Sequence, residues 1–139
     1  MSNKQAWNWL HRVNFVTPAA IALVAVAAPA AAHHSFSAVF DRGAPITLTG
    51  KVTKVEWMNP HTWFYIDVMN ESGATESWGF EMGSPNALVR RGWRNDSLQA
   101  GQVVTVTGFR ARERPRTGAV RSVTLASGEQ LFGAQDESK

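Results

Sequence analysis

ITLTGKVTKVEW, residues 46–57, alternates Ile46, Leu48 and Val52 with Thr47, Thr49 and Lys51, and Gly50 keeps the phase of the apolar set. A period of two is the pattern of a strand with one buried face. After Val52 the apolar phase slips by one residue, to Val55 and Trp57, as it does where a long strand bulges or bends sharply. Asn59-Pro60 then ends the strand, because proline has no amide for a ladder and restricts the residue before it.

Working outward, residues 63–68 form a second strand, with Phe64, Ile66 and Val68 on one face and Trp63, Tyr65 and Asp67 on the other. The polar turn at 70–73 leads into a third strand, 75–82, that sets Trp78, Phe80 and Met82 against Ser77, Gly79 and Glu81. GSPNALVRRGW, residues 83–93, carries helix punctuation at both ends. Ser84 suits the N-cap, Pro85 the first helical position and Gly92 the left-handed residue that closes the helix, with Trp93 placed to contact Leu88. A helix of about two turns cannot stand alone, so it must plug against a sheet. Residues 102–111 and 119–125 form a fourth and a fifth strand around a basic loop at 110–118, and a turn at 127–128 leads to Gln130, Leu131 and Phe132. The chain is therefore mainly β. A long, bent first strand and one short helix between strands three and four predict a small five-stranded OB-fold-like barrel, with an open three-layer or sandwich fold as the alternative.

The amino-terminal part reads differently. VTPAAIALVAVAAPAAA, residues 16–32, follows Lys4, His11 and Arg12 and ends in Ala-x-Ala, the pattern a signal peptidase reads. It is shorter than the roughly 20 apolar residues that span a bilayer and contains Pro18 and Pro29, which favours a removable signal over a membrane helix. The expected organisation is a signal peptide at 1–32, an N-terminal arm at 33–45, the β domain at 46–132 and a disordered tail at 133–139. Export by the general secretory route makes the protein periplasmic, with membrane contact only through the signal before cleavage.

The chain contains no cysteine, which rules out disulfides, lipid attachment through a thiol and thiol-bound haem or iron–sulfur clusters. The formal charge of +3 falls by the two units of Lys4 and Arg12 once the signal is removed, so global charge makes no case for nucleic acid. No Ser-His-Asp order, paired-acid motif or phosphate-cradling glycine loop is legible, which favours a non-enzymatic role.

The segments HHSF, NPHTWFYIDV and EMGSPNALVRRGW together resemble a family of small exported bacterial proteins catalogued as a domain of unknown function. The resemblance spans about residues 32–132. It implies export and a small β domain, and it carries no activity with it.

Two constellations can carry chemistry. Cleavage after Ala32 leaves His33 as the first residue, able to chelate through its α-amine and its imidazole, with a further nitrogen from His34 or His61. Such nitrogens suit Cu(II) and thioethers suit Cu(I), so the expected metal set is His33, His34, His61, Met58 and Met82, with copper as the cofactor. The plainer reading makes the first two histidines part of a flexible arm, His61 a turn residue and the two methionines core filler. The second constellation joins Trp63 and Tyr65, the aromatic pair that alternation leaves exposed, to Arg110, Arg112, Arg114 and Arg116. Rings stack on chains and sugars, and guanidinium forks pair with carboxylates or phosphates. Its bland counterpart is packing for the aromatics and a solvated loop for the arginines. The two functions expected are copper binding, or an OB module for an anionic glycan, a lipid or a periplasmic partner such as an exported oxidoreductase subunit.

Overall fold

The computed structural model describes residues 36–134. The expected signal at 1–32, the candidate ligands His33 and His34, and residues 135–139 of the expected tail lie outside the described residues. Helix α1 (Phe36–Val39) precedes strands β1 (Phe40–Glu56), β2 (Trp63–Met69) and β3 (Thr75–Glu81); helix α2 (Pro85–Arg90) then leads to β4 (Val103–Ala111), β5 (Thr117–Leu125) and β6 (Gln130–Phe132).

β1 is long because it serves two neighbours. Its first part pairs antiparallel with β4, from Pro45↔Phe109 to Lys51↔Val103, and its second with β2, from Lys51↔Asp67 to Glu56↔Trp63. The phase slip in the sequence is the register shift between Val52 and Lys54. Gly50 sits where the strand passes from one neighbour to the other, and a Cβ there would lie 2.5 Å from the Asp67 carbonyl oxygen, so only glycine allows that approach. β3 pairs with β2 and, through a parallel run from Gly79↔Thr117 to Glu81↔Ala119, with β5. The ring β1-β2-β3-β5-β4 is thereby closed, and β6 pairs with the later part of the β5 edge whose start is taken by β3. A closed five-strand ring with its helix between β3 and β4 is the OB arrangement, and it excludes the sandwich.

The interior is filled by the alternating residues. Phe64, Ile66, Phe80, Met82, Val104, Val106 and Val123 are fully buried, each contributing about 1.5–3 kcal/mol by leaving water. α2 plugs this core with Leu88. Its ends follow the sequence punctuation: Ser84 caps the Ala87 amide, Gly92 has φ +91°, and the amides of Gly92 and Trp93 donate to the carbonyls of Val89 and Leu88 at 3.0 and 3.1 Å. That pair of bonds is a Schellman closure.

The amino-terminal side departs from expectation. β1 begins at Phe40 rather than Ile46, and α1 precedes it, so residues 36–45 are structured where an arm was expected. Phe40 pairs with Ala111, but the register breaks between Phe40 and Pro45, so no alternation advertises this part of the strand. A second small core made of Phe40, Ala111 and Ala119, with Phe36, Val39 and Phe109 packed on it, holds the segment down. Arg112 fastens it further, donating to the Ser37 carbonyl at 2.9 Å and to Asp41 at 3.3 Å.

Candidate groove on the β2–β3 face

Because Phe64 and Ile66 point inward, Trp63 and Tyr65 project from the outer face of β2. Register then fixes their neighbours on either side. Trp63 lies between Glu56 of β1 and Glu81 of β3; Tyr65 lies between Lys54 and Gly79. The Tyr65 ring covers Gly79, whose missing side chain would otherwise meet Cε1 at 3.2 Å. Glycine at this position is what lets the ring lie down as a floor.

Two loops wall this floor. The β1–β2 loop, residues 57–62, contains the cis Asn59–Pro60 bond and brings up Met58, which is exposed. The β4–β5 loop, residues 112–116, is tied to β3 by the Gly79 amide, which donates to the Arg116 carbonyl at 3.0 Å. Arg116 itself adopts φ +49°, a left-handed turn that starts β5. Between the loops runs an open groove of about 670 Å³, whose lining includes Glu56, Met58, Trp63, Tyr65, Arg114 and Arg116. This is the surface, the face of strands two and three between these two loops, on which OB barrels hold oligomeric ligands.

The groove is electrically uneven. Glu56 accepts hydrogen bonds from the Lys54 ammonium and, at 3.1 Å, from the Tyr65 hydroxyl. The Lys54 bond holds the Glu56 carboxyl below the usual carboxylate range, and the same bond raises Lys54. Burial, and then Glu56, pushes the Tyr65 phenol up, so it stays a donor. The ion pair therefore persists across neutral pH and is lost only when acid protonates Glu56 or strong base deprotonates Lys54. At the other wall, the Arg114 and Arg116 side chains have no ion pair or hydrogen bond among the described residues.

The structure thus brings together Met58, Trp63, Tyr65, Arg114 and Arg116 from the two expected sets. It takes Arg110 and Arg112 elsewhere: Arg110 lies 4.9 Å over the Trp78 ring, and Arg112 grips the segment around Ser37 and Asp41. Met82 is fully buried in the main core. His61 is half exposed in the β1–β2 loop, its Nδ1 2.5 Å from Glu81 Oε1. Since a carboxylate accepts, Nδ1 carries the proton and Nε2 is left for another partner. No group of three His, Asp or Glu side chains able to hold a metal gathers among the described residues. Glu56, Ser77 and Thr117 were missed as lining residues. The signal for Glu56 was present: once the slip at Thr53 is allowed, Lys54 and Glu56 fall on the face of Trp63 and Tyr65.

The model of a family of unknown function, DUF6152, matches residues 20–121. No curated protein matches the chain. Among solved structures, the mitochondrial single-stranded DNA-binding protein Rim1 of S. cerevisiae is similar at 10% identity and a TM-score of 0.47, over 60% of this chain and 93% of Rim1.

Proposed function

The chain belongs to the family of unknown function DUF6152, and from that premise, with no activity to inherit, we propose that it is a non-enzymatic binding protein whose β2–β3 groove takes an anionic, ring-bearing ligand. The observation that carries this reading is the meeting of two outward aromatic rings, Trp63 and Tyr65, with two guanidinium groups, Arg114 and Arg116, that have no ion pair or hydrogen bond among the described residues, in one groove. A ring stacked on an aromatic side chain gains about 1–3 kcal/mol, and a hydrogen bond to a charged group about 1.5–3 kcal/mol. Acidic sugars offer both features. The Ala-x-Ala leader supports export, so the ligand belongs to the periplasm, where nucleic acid is scarce.

Tryptophan fluorescence titrated with phenyl β-D-glucuronide tests the reading. Saturable quenching is expected, and Trp63→Ala or the Arg114→Ala/Arg116→Ala pair should weaken binding at least about tenfold, the equivalent of 1.4 kcal/mol. Unaltered affinity in both variants would place the ligand elsewhere.

Copper is the second reading, and one observation favours it. Glu81 fixes the His61 tautomer in the way carboxylates orient metal-ligating imidazoles. His33, as a processed amino terminus, would supply the remaining nitrogens. Cu(II) EPR of the processed protein should change when one residue is added ahead of His33; an identical spectrum sinks the amine chelate.

A further inference from the structure

The carboxylates that flank Trp63 are not spread at random. Glu56 and Glu81 stand on opposite sides of Trp63 in a single cross-strand row, while Arg114 and Arg116 belong to the far wall. Each acid is held in place: Glu56 by Lys54 and the Tyr65 hydroxyl, Glu81 by His61. A ring lying on Trp63 therefore meets the Glu56 carboxylate on its β1 flank, while Glu81 on the β3 flank is buried against His61, and a negative charge is welcome where the ligand reaches the β4–β5 loop. The Tyr65 ring is also fixed, covering Gly79 below and tethered to Glu56 through its hydroxyl.

From this arrangement, and resting on the groove as the binding site, we infer that Glu56 is a positioning and specificity-determining residue that selects a compact ring-bearing monoanion over a polyanionic chain. It acts in two ways. Its bond to Tyr65 sets the stacking platform before any ligand arrives, which reduces the ordering cost of binding. Its charge repels a phosphate or carboxylate placed beside Trp63, which is discrimination by an unfavourable contact with the wrong ligand. Lys54 offsets part of this charge, but of the pair it is Glu56, 23% exposed against 62% for Lys54, that lines the groove. A nucleic-acid strand, with a phosphate at every step, fits this charge pattern poorly.

The test compares two probes on the full processed protein: phenyl β-D-glucuronide, which carries one carboxylate, and a short oligothymidylate, which carries a charge on every linkage. Wild type should bind the glucuronide more tightly. Glu56→Gln keeps the size and removes the charge; it should shift the affinity ratio about tenfold towards oligothymidylate, as expected of a like-charge contact at a protein surface. Tyr65→Phe keeps the ring and removes the tether; it should loosen the glucuronide several-fold, and the double variant should be no weaker for that probe than the weaker single one. Both side chains are on the outer face, so circular dichroism should show the fold retained. An unchanged ratio in Glu56→Gln overturns the inference and leaves the groove reading standing, provided Trp63→Ala still weakens binding. Oligothymidylate as the tighter wild-type ligand also overturns it and makes the groove a nucleic-acid interface. Saturable binding of neither probe removes the groove reading and this inference with it.

Discussion

Replacing Gly108 by alanine is expected to cost about 3 kcal/mol in urea denaturation, the upper part of the range for overpacking. The reason is what the new methyl would meet. A Cβ at 108 lies 2.0 Å from the Ala119 carbonyl oxygen and 3.0 Å from its carbon, so the obstacle is backbone and cannot swing aside as a side chain would. The position is also where the β4–β5 register shifts: Thr107 faces Ser122, whereas Gly108 faces Val120. Relief would require β4 and β5 to separate at the seam that carries the β4–β5 loop, so the same variant should weaken ligand binding beyond its effect on stability. Gly73→Asn is the control. Its glycine has φ +81° but open space around it, and asparagine tolerates that conformation, so a change well below 1 kcal/mol is expected.

Trp93→Ala should be at least as damaging, at about 4 kcal/mol, in line with other large aromatic truncations. Trp93 is 2% exposed and belongs to the main core. Its backbone amide closes α2 on Leu88, and its indole nitrogen donates to the Phe132 carbonyl at 2.9 Å. One residue thus joins the helix that plugs the barrel to β6, the first through its backbone and the second through its side chain. Removal leaves a cavity and an unsatisfied carbonyl, two penalties of different origin. Trp93→Phe should recover part of the packing and none of the hydrogen bond, giving an intermediate loss. Against a total of about 5–15 kcal/mol for a small domain, the alanine variant should be measurably unfolded well below the wild-type transition temperature.

Where a local physical rule acts, the sequence was legible. The slip after Val52 became a register shift, and Ser84, Pro85, Gly92 and Trp93 became the cap, first turn and closure of α2, because each depends on neighbours within a few residues. The start of β1 was not legible. Asp41, Arg42 and Gly43 show no alternation, and Phe40 is buried in a cluster that draws Phe109, Ala111 and Ala119 from far along the chain, beside its neighbours Phe36 and Val39. The groove was half legible. Alternation put Trp63 and Tyr65 outside, but four arginines in one loop look alike in sequence. Folding sends Arg110 to Trp78 and Arg112 to the amino-terminal segment and leaves Arg114 and Arg116 facing the groove. Glu56 was hidden for a related reason, since its face is defined only after the bulge is counted.

The binding site we propose is the β2–β3 face between the two loops. Amide and indole NMR shifts during a titration with phenyl β-D-glucuronide test it most directly. Saturable shifts centred on Trp63, Tyr65, Gly79, Arg114 and Arg116 are expected, with the opposite cleft around Thr107, Ser122 and Phe132 undisturbed. Shifts confined to that opposite cleft, or no saturable shift at the groove residues, would contradict it.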